Sequence, residues 1–132
     1  VEIGPKDVEK GTVALARRDK PGKEGKTFVS QEGIADTVKN LLTDVQASLL
    51  KRATEYRDAN IHNVDNYEDL KKVVQDGWAF SYWCESTECE KKVKEDVKAT
   101  TRNIPFHQPE SEGKCVVCGK PSKRKVYFAK AY

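Results

Sequence analysis

Long apolar runs are missing from this 132-residue chain. No stretch approaches the ~20 residues of a membrane helix, so no membrane span is expected. The N-terminal VEIGPKDVEK has neither the basic nor the apolar region of a signal peptide. A reducing cytoplasm is therefore the expected compartment, where disulfides are rare. Apolar residues are scarce as well, at 37% against 34% charged. That supply is thin for two separate cores, and a small lobe would need a metal or a disulfide as a staple. Charge of one sign is also lacking: 24 basic and 21 acidic residues are interspersed, for a net charge of +3. This balance permits nucleic-acid binding without arguing for it.

Much catalytic chemistry is absent too. PGKEGK holds Gly and Lys but lacks the strand-to-helix context of a phosphate-binding loop. There is no nucleophile elbow and no recommended His-Asp-Ser set. The two histidines, His62 and His107, have no ligand-like spacing, and His107 reads as an ordinary surface residue in a polar turn. The residues by themselves describe a binding and structural piece. The start at Val1, inside what reads as a strand, suggests a piece of a longer protein.

Periodicity supplies the organisation. VEIG is a short alternating segment; Pro5 opens a helical turn that Gly11 closes. TVALARRD is a strand with Val13 and Leu15 on one face, KPGKEGK a loop, and TFVS a second strand. From Gln31 to about Asn60, with Ser30 as N-cap, Ile34, Val38, Leu41, Leu42, Val45, Leu49, Ala53 and Tyr56 trace one face of a core-packing helix. NIHNV reads as an extended link. DNYEDLKKVVQDG is a helix capped by Asp65 or Asn66 and stopped by Gly77. WAFSYW is a strand, STECEKKVKEDVKAT a helix with Cys89, Val93 and Val97 inward, TRNIPF a strand and KRKVYFAKAY a last strand.

The four cysteines form two close pairs, Cys84 with Cys89 and Cys115 with Cys118, separated by 25 residues. Two thiolate pairs suit a tetrahedral zinc ion. Free structural thiols, disulfides and redox or iron–sulfur use are the alternatives. Gly-Lys-Pro after Cys118 argues against a redox C-x2-C, which normally opens a helix. Gly119 can take positive φ and let backbone N–H groups point at sulfur. Four cysteines would fill the coordination sphere, so the expected zinc is structural. Lys91, Lys92, Lys114 and Lys120 lie beside the ligands and could offset the −2 charge of such a site.

VEIGPKDVEKGTVALARRD, CESTECEKKVKEDVKATTRNIPF and GKCVVCGKPSKRKVYFAKAY resemble the C-terminal portion of prolyl-tRNA synthetases, in the form that carries a zinc-binding C-terminal extension. The resemblance covers the whole chain. It implies an α/β (α+β) fold: residues 1–62 as the later part of a mixed-sheet anticodon-binding domain, and 63–132 as a small zinc-stapled α+β domain. The implied parent is a cytoplasmic class II proline–tRNA ligase, expected to be a homodimer, which joins proline to tRNA(Pro) using ATP. ATP and proline would be bound by an upstream catalytic domain, so this piece alone would be inactive. The alternative is a stand-alone zinc-stapled module that binds protein.

Residue by residue, the resemblance makes Cys84, Cys89, Cys115 and Cys118 the metal ligands. It makes Asp7 a reader of an anticodon guanine, whose N1–H and N2–H suit a carboxylate while O6 suits a cation. That cation falls among Lys20, Lys23 and Lys26, with Lys23 the expected one. Arg17 and Arg18 are candidate phosphate contacts, or solvated strand ends. The plainer role for Asp7 is a first-turn helix carboxylate. The terminal Tyr132 would support the catalytic domain; its plainer role is to close the zinc lobe's own core.

Overall fold

The computed structural model describes residues 1–131. Tyr132, the expected support of a catalytic domain, lies outside the described residues. The fold is mixed α+β, and the chain falls into two compact units, Val1–Tyr56 and the residues from Arg57 onward. Among the described residues, no helix is long and apolar enough to cross a membrane.

In the first unit, Pro5 sits at the start of helix α1 (Pro5–Lys10), where its missing N–H costs nothing. The Gly4 N–H donates to Asp7 Oδ2 at 2.9 Å, and Gly11 ends the helix at φ 61°. Strand β1 (Thr12–Ala16) pairs antiparallel with β2 (Lys26–Ser30), placing Ala14 opposite Phe28. Glu2 bridges Ala14 from the other side. Val13 and Leu15 are buried as expected; Ala14 is buried too, because Glu2 and Phe28 flank it on the outer face.

The β1–β2 connection contains a single 3-10 turn, Lys23–Gly25, and the Arg17 N–H donates to the Gly25 carbonyl at 2.8 Å. The Arg17 guanidinium turns back on Asp19, donating from Nε at 3.1 Å and from its terminal nitrogen at 2.8 Å. That pair holds the Asp19 carboxyl well below the usual carboxylate range.

Helix α2 (Ile34–Ala59) departs from expectation at its start. It starts at Ile34, because the Ser30 hydroxyl accepts from the Glu32 N–H in a local turn. Its apolar face is covered only in part: Val45 alone is buried, while Leu42 and Tyr56 are 63% and 74% exposed.

The second unit is built on a four-stranded sheet, order β3-β4-β8-β5, from β3 (Ile61–Asn63), β4 (Trp78–Tyr82), β5 (Ala99–Asn103) and β8 (Lys125–Lys130). Residues 61–63, read above as part of a link, are thus a strand, parallel to β4. Three residues show no alternation of their own; the backbone of β4 makes them a strand. Helix α3 (Tyr67–Val73) starts where the Asn66 side chain accepts from the Asp69 N–H. Helix α4 (Thr87–Val97) buries Cys89 and Val93. The Tyr67 hydroxyl donates to Asp96 at 2.8 Å, tying α3 to α4.

One face of the sheet carries Ala79, Ser81, Val126 and Phe128, all fully buried, against Leu70, Val74 and Val93. Two short strands, β6 (Gly113–Lys114) and β7 (Pro121–Ser122), complete the unit.

Candidate metal centre

All four cysteine sulfurs lie within 4.8 Å of one another. Cys84 Sγ is 3.5 Å from that of Cys89 and 3.6 Å from that of Cys118. Tetrahedral thiolates around zinc stand about 3.8 Å apart, given Zn–S bonds of about 2.3 Å. The donor set and its spacing therefore fit one tetrahedral metal ion.

Each ligand has its own support. Cys84 follows β4 by two residues, Cys89 lies in the first turn of α4, Cys115 directly follows β6, and Cys118 sits in the turn before β7. The Cys115 N–H donates to the Lys120 carbonyl and the Gly119 N–H to the Cys115 carbonyl, both at 2.8 Å, closing the second loop. The Val116 N–H donates to the Tyr82 carbonyl at 2.9 Å, so Val116 reaches the core beside the site. The two loops are also pinned together. The Trp83 N–H donates to the Arg124 carbonyl, the Ser122 hydroxyl to the Trp83 carbonyl, and Arg124 pairs with Glu85 at 3.0 Å.

The loops share one device. Gly119 adopts φ 73° after Cys118, as its sequence position implied, and Glu85 adopts φ 60° after Cys84. In both, the next residue turns its backbone N–H onto the preceding sulfur: Ser86 onto Cys84 and Lys120 onto Cys118. The Lys120 N–H pulls the Cys118 thiol down to about 7, toward the thiolate that a metal needs. Burial pushes the thiols of Cys84 and Cys89 up. The Glu85 half of this device has no sequence signature, because a glutamate seldom takes positive φ.

Of the nearby lysines, Lys91 pairs with Glu88 at 3.4 Å and Lys92 lies over the Tyr67 ring at 5.7 Å. Lys114 and Lys120 are exposed and have no ion pair among the described residues. His107 is exposed, and neither histidine is among the clustered ligand groups.

Gly119→Ala tests the shared geometry. Nothing lies within 4 Å of an added Cβ, so the cost is backbone strain alone. A loss of about 1–2 kcal/mol is expected, seen as a lower melting temperature and weaker metal retention against a chelator. Unchanged retention would show that the left-handed turn is dispensable.

The other candidate residues lie in the first unit. Asp7 lines a groove of about 560 Å³ together with Ala14, Lys26 and Phe28. Lys23 lines a hollow of about 390 Å³ that shares Lys26 and Phe28 with that groove. Lys26 is paired with Glu2 at 2.6 Å, whereas Lys23 has no ion pair among the described residues. Arg17 is held by Asp19, and its side chain is 16% exposed. Phe28 was not singled out in the sequence; its one signal is its outward position between Lys26 and Ser30 on an alternating strand.

The second unit is a small α+β unit whose loops gather four cysteines around one point, an arrangement able to hold a metal ion. Residues 67–132 match the family model described as prolyl-tRNA synthetase, C-terminal, and the chain belongs to that family. It is 48% identical, over all its 132 residues, to a proline–tRNA ligase of Roseiflexus sp. (strain RS-1). It is 40% identical to proline–tRNA ligase 2 of a Bacillus cereus strain, again along its whole length. Each match covers 28% of the relative. The crystal structure of prolyl-tRNA synthetase from Cryptosporidium parvum complexed with L-proline and AMP matches 98% of this chain and 28% of that chain, with a TM-score of 0.86 at 26% identity. The chain thus spans a little over a quarter of the length of these relatives.

Proposed function

We propose that this chain is the tRNA-reading and structural C-terminal region of a cytoplasmic proline–tRNA ligase, with zinc as the metal at its four cysteines. The observation that carries this reading is the match, along both units, to proteins bearing that name. ATP and proline are bound by the catalytic part of the ligase, so the chain by itself does not aminoacylate. In this reading the parent is a homodimer, residues 1–62 belong to the anticodon-binding domain and 63–132 form the zinc domain. Tyr132 supports the catalytic part.

The four-cysteine donor set supports zinc, and four thiolates would leave no open position for a substrate. The ion holds the Cys84–Cys89 and Cys115–Cys118 loops together and takes no part in the reaction. The anticodon partners are Asp7 and Lys23. Asp7 offers a carboxylate already oriented by the Gly4 N–H, and Lys23 an unpaired ammonium across the Phe28 position. Arg17 serves phosphate only to the extent that its fork is shared with Asp19; its main contribution is to hold the β1–β2 loop that carries Lys23.

The test is Asp7→Asn in the full-length ligase. Asparagine keeps an oxygen for the Gly4 N–H, so α1 keeps its cap, but one acceptor becomes a donor. Discrimination for the proline anticodon is expected to fall by ~1–3 kcal/mol, measured as kcat/KM for tRNA(Pro) against an anticodon-substituted transcript. Proline activation by pyrophosphate exchange, which needs no tRNA, provides the reference rate. An equal fall in both would make Asp7 a folding residue only.

A further inference from the structure

The two left-handed residues beside the cysteines are not equivalent. Gly119 takes φ 73° without strain, because it has no Cβ to clash. Glu85 takes φ 60° with a Cβ, which crowds the following carbonyl. Among the described residues the other non-glycine with positive φ is Lys98, and it caps the end of α4, where a left-handed residue is ordinary. Glu85 has no helix end to excuse it. If it relaxed to negative φ, the Ser86 N–H would turn away from the Cys84 sulfur that it faces. Some other contact must therefore hold Glu85 in place.

The side chain of Glu85 supplies that contact, since its Oε1 accepts from Arg124 Nη1 at 3.0 Å. Arg124 is itself fastened. Its N–H donates to the Ser122 hydroxyl at 3.2 Å, and its carbonyl accepts from the Trp83 N–H at 2.9 Å. The Ser122 hydroxyl donates in turn to the Trp83 carbonyl at 2.6 Å. The backbone of Arg124 is thus tied to the residue directly before Cys84. Exposed ion pairs usually contribute little, because two loose side chains must be ordered together. Here the stem of the cation is already positioned by its backbone.

We infer that the Glu85–Arg124 pair is a latch on the metal centre: it keeps Glu85 in the left-handed conformation and so slows loss of the ion. The inference rests on the zinc reading above and adds to it the two residues that set how long the ion stays. The second loop needs no such latch, because glycine at 119 adopts its turn unaided.

The experiment loads the full-length protein with zinc and follows its loss to an excess of a coloured chelator. It compares wild type, Arg124→Gln, Glu85→Gly and the double variant. Arg124→Gln is expected to speed metal loss roughly 2- to 5-fold. Glu85→Gly should stay close to the wild-type rate, because glycine removes the strain together with the latch. Adding Arg124→Gln to Glu85→Gly should then change nothing further. Salt screens an exposed pair, so added salt should speed loss from wild type more than from Glu85→Gly. The latch is overturned if Arg124→Gln keeps the wild-type rate, or if it speeds loss equally in both backgrounds. The second result would make Arg124 a general support of the loops. Either result leaves the zinc reading standing, whereas wild-type protein that binds no zinc overturns that reading and the latch with it.

Discussion

Replacing Cys115 with serine should strip the metal from the second unit and unfold the loops around it. Between Ile104 and Arg124 only Cys115 and Val116 are buried. Ordering a residue costs about 1–2 kcal/mol of backbone entropy, so these loops cannot be held by packing alone. A structural four-thiolate zinc site contributes on the order of 10 kcal/mol or more, most of it realised as folding. Cys115 is 2% exposed and its backbone closes the second loop, so serine keeps the shape and removes only the thiolate. Elemental analysis should find one zinc per wild-type chain and close to none in the variant, with the low-temperature part of the melt lost. Unchanged metal content would show that Cys115 is not a ligand. Lost metal with unchanged melting would show that the ion does not staple the fold.

Phe128→Ala is expected to cost the same unit about 3–5 kcal/mol without touching a ligand. Phe128 is fully buried in β8, between Ala79 of β4 and Thr101 of β5, and is the largest of the fully buried side chains. The two cross-strand neighbours are a small residue and a β-branched one, so neither can swing in to refill the space. A whole domain is typically stable by only 5–15 kcal/mol, so this loss would leave the unit near its threshold at ordinary temperature. Denaturant unfolding of the metal-loaded protein measures it, and zinc content measured alongside separates packing from ligation. A loss below 1 kcal/mol would mean that the core relaxes around the hole. Phe128→Leu, which keeps most of the volume, should be far milder.

Much of the local structure was legible because its causes are local. Pro5 and Gly11 delimit α1, Asn66 caps α3, and the Cys89–Val93 spacing puts both residues on the inner face of α4. The two cysteine pairs announced a tetrahedral site, and the four sulfurs do converge. The late start of α2 has a local cause in the Ser30–Glu32 turn, but two other features were hidden because the deciding partner was far away in the chain. Ile61–Asn63 becomes a strand only through the backbone of 78–80. Glu85 takes positive φ in a loop closed by Arg124, thirty-nine residues on. The apolar stripe of α2 was legible as a stripe, and it buries Val45 while Ile34, Val38, Leu41 and Leu49 are half-buried.

The sequence by itself determined the class of chemistry: a zinc-like thiolate set, no nucleophile in a recommended arrangement, and a match over its whole length to one family of ligases. Which of Lys23 and Lys26 carries an ion pair was decided only by the tertiary structure. Lys23 and Lys26 are indistinguishable by composition and lie three residues apart, and the Glu2 that pairs with Lys26 arrives from twenty-four residues away. The exposure of Phe28 was decided in the same way, because it depends on the size of the residue opposite, and strand register chose Ala14. Pairing across a sheet is set by the packing of the whole unit, and no window of neighbouring residues contains it.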